Sequence, residues 1–315
     1  MFLEQKITSI VVSSQKFQYK QIMTHKAGFV NIIGNPNVGK STLSNKLVGE
    51  RLSIITSKAQ TTRHRIFGII NTDDYQIVIS DTPGVLKPHY KLQESMLHFS
   101  KSALSDADIL LYITDTVETP GKNEEFLAKV KDSDTPILLA INKIDLIQQK
   151  ELEELVDYWT RELPKAEIFP ISAVHQFNIR NLYDRIVELL PESPPFFDKD
   201  ALTDKPERFF VSEIVREKIL LNYQKEIPYS VEVEVEEFQE GNEQNHIRCV
   251  IHVTRDSQKG IIIGHQGKAL KKLGIDARKE IESFLGKKVY LELYVKVSKD
   301  WRDQDRYLKN FGYDQ

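Results

Sequence analysis

The chain has a single cysteine, Cys249, and therefore no partner for an intrachain disulfide. Such sparse cysteine usage fits a reducing compartment and excludes a disulfide-stapled secreted scaffold. Cys249 lies in a mostly apolar stretch, which favours a small buried strand residue over a reactive thiol. The chain also lacks an apolar run of the roughly 18 residues that a transmembrane helix needs. We therefore expect neither a disulfide framework nor a membrane-spanning helix.

A large excess of one charge is also missing, because the formal net charge is only −3. Any nucleic-acid site must then be a local basic patch rather than a property of the whole surface. The hydrophobic content of 40% and the charged content of 28% are ordinary for a globular protein with a real core. The length of 315 residues predicts two domains.

We predict four segments along the chain, at residues 1–24, 25–190, 191–206 and 207–315. The first is interpreted as an extension, either disordered or due to a misassigned start, with Met23 as the true first residue. Its first 22 residues lack the long apolar core and cleavage site of a secretory signal. Three prolines between residues 191 and 195 end a predicted helix and begin a linker.

Buried apolar runs alternate with amphipathic segments in the first domain. The runs lie at residues 29–33, 77–80, 109–113 and 137–141. This alternation predicts an α/β fold with a mostly parallel, doubly wound sheet. In such folds the ligand binds at the carboxyl ends of the strands, and the polar motifs at residues 34–42, 81–84 and 142–145 each follow a predicted strand.

The first of these motifs is G-x-x-x-x-G-K-S/T, at residues 34–42, between a predicted strand and a predicted helix. That context is typical of a phosphate-binding loop, since glycines admit the anion and the helix N-terminus faces it. Lys40 is predicted to supply charge to the outer phosphates, and Ser41 to bind Mg²⁺. A chance glycine turn before a helix is the alternative.

Two further motifs complete the predicted phosphate and metal site. In the D-x-x-G motif, Asp81 can hold the metal through water and the Gly84 N–H can meet the terminal phosphate. In the polar stretch at residues 60–63, we favour Thr62 over Thr61 as the hydroxyl that completes the Mg²⁺ shell. A plain Pro-Gly turn and a solvated loop are the respective alternatives. We predict Ser41, Thr62 and Asp81 as metal ligands, and Lys40, Thr62 and Gly84 as catalytic residues.

The N-K-x-D motif at residues 142–145 predicts specificity for guanine. The Asp145 carboxylate can accept two hydrogen bonds from guanine, whereas adenine would place an acceptor against it. Asn142 can bridge loop segments, and the Lys143 stem can cover a base face. The predicted nucleotide-binding residues are Gly34, Asn35, Asn37, Val38, Gly39, Lys40, Ser41, Thr42, Asp81, Gly84, Asn142, Lys143, Asp145, Ser172, Ala173 and Val174.

The residue that orients the attacking water is not evident from the sequence. Val85 occupies the position after D-x-x-G where Ras-like enzymes carry glutamine, and valine has no polar group to offer. Slow turnover, or help from another group or ion, is therefore expected. Asn37 is a candidate ligand for K⁺ beside the phosphates, and an ordinary turn role for it is weighted equally.

The second domain is patterned as a helix, two strands, a helix, G-x-x-G, a helix and a strand. The strands are predicted at residues 229–238, 246–253 and 289–297, the first with an acidic outer face at Glu232, Glu234 and Glu236. This order is that of an α+β type II KH domain, an RNA-binding module whose G-x-x-G turn lets the nucleic-acid backbone pass close.

The region around G-x-x-G supports RNA binding, because residues 257–275 carry four lysines and no acid. Ile261, Ile262 and Ile263 are predicted to wall the groove where bases lie. A helical hairpin with a solvated lysine face is the alternative. The predicted RNA-binding residues are Lys259, Ile262, Ile263, Gly264, His265, Gln266, Gly267, Lys268, Lys271 and Lys272.

From about residue 25 to 315 the chain resembles the Era family of GTPases. The resemblance is carried by residues 34–42, 58–65, 212–218, 264–267 and 291–297. It implies GTP hydrolysis with GTP/GDP and Mg²⁺, and binding near the 3′ end of small-subunit ribosomal RNA during subunit maturation. It also implies a cytoplasmic protein with peripheral association at the inner membrane face, and we expect a monomer.

Two other functions stay open at this point. One is a GTPase of tRNA modification or large-subunit assembly, with the KH domain on another RNA. The other is a membrane-linked signalling GTPase whose second domain binds protein.

Overall fold

A computed structural model describes residues 25–118 and 123–313 of the chain. The predicted N-terminal extension, including the proposed start at Met23, lies outside the described residues. Within them, two sheets are formed, one in each half of the chain.

The first sheet has six strands in the order β2-β3-β1-β4-β5-β6. Only β2 is antiparallel to its neighbour, β3. The strands β4 and β5 are buried along their whole length, as continuous apolar runs in a parallel sheet require. The strands are β1 Lys26–Gly34, β2 Ile66–Asn71, β3 Tyr75–Asp81, β4 Ile109–Asp115, β5 Ile137–Asn142 and β6 Glu167–Pro170.

Helices cover both faces of this sheet, so the predicted doubly wound fold is confirmed. One core cluster joins the sheet to α1 and α5, and a second joins its other face to α2, α3 and α4. The helices are α1 Lys40–Val48, α2 Lys91–Ser105, α3 Glu124–Lys131, α4 Gln149–Glu162 and α5 Ile179–Leu189. Because β1, β3, β4 and β5 run parallel, the loops that follow β1, β3 and β5 lie together at the carboxyl-terminal end of the sheet.

The second half has the predicted type II KH order around a three-stranded sheet, β7-β8-β9. Strands β7 and β8 are antiparallel, whereas β8 and β9 are parallel. Cys249 is buried in β8, where burial raises the pKa of its thiol to about 12 and leaves it unreactive. The elements are α6 Glu207–Asn222, α7 Ile227–Ser230, β7 Glu232–Gln239, β8 Gln244–Val253, α8 Asp256–Ile263, α9 Lys268–Leu285 and β9 Lys288–Val297.

The first strand of this domain differs from its prediction in two ways. It starts at Glu232 rather than at residue 229, because the short helix α7 occupies the preceding residues. Glu232 is also buried rather than on the acidic outer face, since the Arg63 guanidinium of the first domain pairs with it at 2.9 Å. The exposed positions of the predicted acidic face are Glu234 and Glu236.

The segment between the domains lies along the edge of the first sheet instead of running free. The backbone N–H of Ile69 in β2 donates to the Leu202 carbonyl at 2.8 Å. The Phe67 N–H donates to the Asp204 carboxylate at 2.9 Å. These bonds cover the edge strand β2 and fix the connector as far as Asp204.

The end of the chain packs back onto the first domain, which the sequence did not indicate. A short 3₁₀ turn, Trp301–Asp303, and the helix α10, Asp305–Asn310, follow β9. Trp301, Leu308 and Tyr313 form a core cluster with residues of α2, namely Leu92, Met96 and Phe99.

None of the helices in residues 25–118 and 123–313 combines the length and the apolar composition that a membrane-spanning helix needs.

Candidate nucleotide site and nucleic-acid interface

The loop between β1 and α1 has a shape that only glycine allows at two positions. Gly34 has φ 150° and Gly39 has φ 101°. A Cβ on Gly39 would lie 2.2 Å from the Asn142 amide nitrogen, and one on Gly34 would lie 2.2 Å from the Ile113 carbonyl oxygen. Because α1 begins at Lys40, its N-terminus faces the loop, and the arrangement suits an anion.

Lys40 is buried under this loop and points along it. Its Nζ donates to the carbonyl oxygens of Gly34 at 3.1 Å and Asn35 at 2.8 Å. Burial lowers the pKa of Lys40 to about 8, and the charge of Asp81 opposes that shift. The side chain is thus held where phosphate charge would stabilise its ammonium form.

The three predicted metal ligands meet at the N-terminus of α1. The hydroxyls of Ser41 and Thr62 lie 2.8 Å apart. Asp81 is 1% exposed, and neither oxygen of its carboxylate has a hydrogen-bond partner among the residues that the structure describes. Burial raises the pKa of Asp81, whereas the nearby hydroxyls of Ser53 and Ser41 and then the charge of Lys40 oppose this shift. A buried carboxylate close to two hydroxyls fits Mg²⁺, which takes oxygen ligands and keeps several waters.

The D-x-x-G loop passes close under the phosphate loop. A Cβ on Gly84 would lie 2.7 Å from the Cα of Pro36, so only glycine allows this approach. The Val85 N–H donates to the Gly34 carbonyl at 3.2 Å. The Val85 side chain is buried in the core between the sheet and α3, and therefore points away from the predicted phosphate site.

The N-K-x-D residues tie three loops together. The Asn142 amide donates to the Val38 carbonyl at 2.9 Å and accepts from the Ala173 N–H at 3.0 Å. The Lys143 ammonium donates to the Asn37 carbonyl at 2.8 Å and pairs with Asp115. The bridging role predicted for Asn142 is therefore present in the geometry.

Asp145 stands at the open side of these loops, and its side chain is 30% exposed. It accepts from the Ser172 hydroxyl at 2.6 Å, and this bond lowers the pKa of Asp145. The carboxylate is thus ionised and retains accepting capacity for a base edge. Val174 is largely exposed beside it.

A cavity of about 330 Å³ lies between the phosphate loop and the threonine loop, which is the polar stretch at residues 60–63. The residues that line it include Gly39, Lys40, Ser41, Thr42, Thr62, Gly84 and Lys143. Asn35 does not line it, because its amide is engaged with Glu118 and Asn123. Two residues near the site were missed by the sequence argument: Asp115, which orients Lys143, and Asn123, which donates to the Val85 carbonyl at 3.1 Å. Asp115 is the last residue of β4, whose carboxyl end lies beside those of β1 and β5. A polar residue at the end of a buried strand was the sequence feature that could have identified it.

The G-x-x-G turn joins α8 to α9 through positive φ angles. Gly264, Gln266 and Gly267 have φ values of 71°, 52° and 74°. A Cβ on Gly264 would lie 2.6 Å from the Ala269 Cβ. His265 and Gln266 are exposed at the tip, and the N-terminus of α9 follows, as contact with a phosphate backbone requires.

The three isoleucines before this turn do not share one environment, which corrects the predicted apolar wall. Ile262 is fully buried in the KH core, because α8 packs that face against the sheet, so its side chain does not reach the surface. Ile263 is half-buried against the same core. Ile261 is 49% exposed.

A groove of about 400 Å³ runs beside the turn, between α9 and β9. Its lining residues are Gly267, Leu270, Lys271, Gly274, Ile275, Arg278, Leu291 and Leu293. Lys268 and Lys272 are exposed nearby, and Lys259 is half-buried. The apolar walls with a basic rim suit bases and phosphates, respectively. Leu291 and Leu293 were missed because they come from a strand distant in sequence.

Phosphate-loop, threonine-loop, D-x-x-G and N-K-x-D segments at one edge of a doubly wound sheet define a P-loop GTPase domain, here followed by a KH domain. Residues 29–143 match the family described as 50S ribosome-binding GTPase, and residues 226–302 match the KH domain family. Two solved structures are similar to this chain, each at 41% identity over 92% of it and 100% of their own chains, with a TM-score of 0.88. One is Era in complex with MgGDPNP and nucleotides 1506–1542 of 16S ribosomal RNA. The other is an Era variant from Aquifex aeolicus bound to GDP and AlF₄⁻. The chain belongs to the Era family.

Proposed function

We propose that this protein is a GTP-hydrolysing switch that binds small-subunit ribosomal RNA near its 3′ end and acts in small-subunit assembly. One observation carries the proposal: the same chain contains a guanine-nucleotide site and an open groove beside the G-x-x-G turn. The relative solved with both MgGDPNP and a 16S ribosomal RNA fragment supports it.

In the proposed reaction, each residue of the nucleotide site has a separable task. Lys40 and the backbone N–H groups of the phosphate loop hold the outer phosphates, and Asp145 selects guanine. Ser41, Thr62 and Asp81 would hold Mg²⁺, which when bound neutralises charge on the phosphates. Thr62 and the Gly84 N–H engage only when the terminal phosphate is present, so both report the GTP state.

The Val85 side chain is not proposed to orient the attacking water, since it is apolar and buried. We propose K⁺ at Asn37 as an aid to hydrolysis. In support, the Asn37 side chain is exposed beside the phosphate loop, and the described residues offer it no hydrogen bond. The backbone of Asn37, at φ 67°, equally suits a turn role.

The RNA site is tested by placing acids on the G-x-x-G tip, with His265→Asp and Gln266→Asp. Each carboxylate would face the phosphate path, so affinity for a 3′-terminal small-subunit RNA oligonucleotide should fall by at least about tenfold, the cost of one lost charge-assisted contact. The measurement is a fluorescence anisotropy titration at fixed salt, with GTP hydrolysis assayed in parallel.

Gln244→Asp is the matched control, because it adds the same charge at an exposed position of β8. It should leave RNA affinity unchanged. RNA affinity unaltered in both tip variants would contradict the site, whereas loss of RNA binding with hydrolysis intact supports it.

A second candidate is action on the large subunit, favoured by the 50S description of the family that matches residues 29–143. Crosslinking the protein in cells and sequencing the bound RNA separates the two. Recovery of 3′-terminal small-subunit RNA supports the first proposal, and large-subunit or transfer RNA would replace it. Because subunits are assembled in the cytoplasm, we propose a cytoplasmic location for this protein. We also propose that it is a monomer and that it contacts the inner membrane face peripherally.

A further inference from the structure

The threonine loop is held by the KH domain as well as by its own domain. Arg216 in α6 is fully buried, and its guanidinium donates to the carbonyl oxygens of Thr61 and, at 3.4 Å, Gln60. The same guanidinium makes two bonds of 2.6 Å to Glu213, one turn earlier in α6. A planar guanidinium engaged on two sides has a fixed position, and the Thr61 carbonyl is fixed with it.

Three consecutive residues of this loop divide their contacts between the two domains. Thr61 is bonded to Arg216, and the Thr62 hydroxyl lies 2.8 Å from Ser41 in the metal site. The side chain of Arg63 is fully buried against the KH domain. Its guanidinium donates to the carbonyls of Val231 at 2.6 Å and Pro228 at 3.1 Å and to the Glu232 carboxylate at 2.9 Å. Since one residue spans only about 3.5 Å, Thr62 cannot leave the metal site without disturbing its neighbours' contacts.

Thr62 matters to one nucleotide state more than to the other. Its hydroxyl would hold Mg²⁺ only when the terminal phosphate is present, whereas Ser41 and Asp81 would hold it with either GTP or GDP. A group that holds Thr61 in place therefore stabilises GTP binding selectively.

We propose that Arg216 of the KH domain is a positioning residue of the GTPase site, holding Thr61 so that the Thr62 hydroxyl completes the Mg²⁺ shell. This inference rests on the proposed GTPase function and adds that the nucleotide site is incomplete without the KH domain. Helix α6 packs against α9, whose first turn follows G-x-x-G, so the same contact joins the RNA groove to Thr62. By linkage, a change in the position of α6 should change the position of Thr62, and a change at Thr62 should shift α6 in turn.

The test replaces Arg216 by Met together with Glu213→Gln, so that no unpaired charge is left buried. Affinities of the full chain for Mg·GDP and for Mg·GDPNP are measured by fluorescence titration, with thermal melting as the check on folding. GDPNP affinity should fall by about tenfold, the loss expected for one hydrogen bond from a charged group. GDP affinity should stay within about twofold, and more Mg²⁺ should be needed to saturate GDPNP binding.

Arg216→Lys is the second variant, since lysine keeps the charge beside Glu213 but cannot span both carbonyls. It should show the same selective loss at smaller size. Arg208→Met is the control, because Arg208 is an exposed arginine on the same helix, and it should change neither affinity. Equal losses for GDP and GDPNP, or no loss for either, would overturn the positioning role. Wild-type protein that binds neither nucleotide would instead overturn the proposed function, and this inference with it.

Discussion

At the scale of single residues, Lys40 and Asp81 are two buried groups of opposite charge whose ionised forms are both disfavoured. Burial lowers the pKa of Lys40 to about 8 and raises the pKa of Asp81. A phosphate beside Lys40 and a cation beside Asp81 would reverse these shifts, because each supplies the opposite charge. Nucleotide binding should therefore be coupled to protonation.

Nucleotide affinity is expected to decline as the pH rises through about 8. Below that value Lys40 is charged before and after binding, so its protonation leaves affinity unaffected. Above it, the free protein has lost the proton, and binding must take one up, which weakens affinity by up to about tenfold per pH unit. GDP titrations by calorimetry between about pH 7 and 8.8, in two buffers of different ionisation enthalpy, measure both affinity and proton uptake. A flat profile without proton uptake would refute this role of burial.

At the scale of elements, the motifs that end buried strands were readable from the sequence. Each is a contiguous run whose position after a strand sets its place at the sheet edge, as residues 34–42 and 142–145 illustrate. The KH order was readable for the same reason. These local patterns were sufficient for the fold class and for several residues that line the cavity, such as Lys40, Ser41 and Thr62.

What the sequence could not reveal depends on distant packing. The alternation in β7 placed Glu232 outside, but its partner Arg63 lies far away in sequence and draws it into the interface. The run at residues 261–263 gave no sign that Ile262 is fully buried in the core while Ile261 is exposed. The second wall of the groove comes from Leu291 in β9, which pairs with β8. Leu291 is distant in sequence from the G-x-x-G turn, so no local pattern places it in the groove. Periodicity reports which side of an element is apolar, not what covers it.

An element-scale prediction separates the two roles proposed for Asn37. Because glycine also adopts the left-handed conformation found at φ 67°, Asn37→Gly removes the amide while keeping the loop. If Asn37 holds K⁺, wild-type hydrolysis should be severalfold faster in potassium than in sodium, and the variant should lose this difference. The measurement is phosphate release in matched chloride salts. Equal wild-type rates in the two salts would eliminate the cation.

At the scale of the whole molecule, both segments that we propose to engage the terminal phosphate touch the KH half of the chain. The threonine loop contacts α6, and α2, which follows D-x-x-G, packs against the C-terminal residues. Tyr313 joins these contacts, because its hydroxyl donates to Glu232 at 2.6 Å and its ring stacks on His64 at 4.2 Å. Burial lowers the pKa of His64 to about 3, so this stack stays neutral at physiological pH.

The structure combines a threonine loop that contacts Ser41 with an exposed groove beside G-x-x-G. Thr62 lies beside Ser41, while Lys268, Lys271 and Lys272 are exposed at the groove. We infer that GTP favours this arrangement and that GDP, which does not engage Thr62, releases the loop and favours one that partly covers the groove. Nucleotide state should therefore set RNA affinity.

The most direct test of this claim is the affinity of the full chain for a 3′-terminal small-subunit RNA oligonucleotide, measured with GDPNP and with GDP at one salt concentration. We expect tighter RNA binding with GDPNP, by a factor in the range of roughly 5–150 that is typical of coupled sites. RNA must then raise GDPNP affinity relative to GDP by the same factor. Identical RNA affinity in the two nucleotide states would contradict the switch while leaving both binding sites in place.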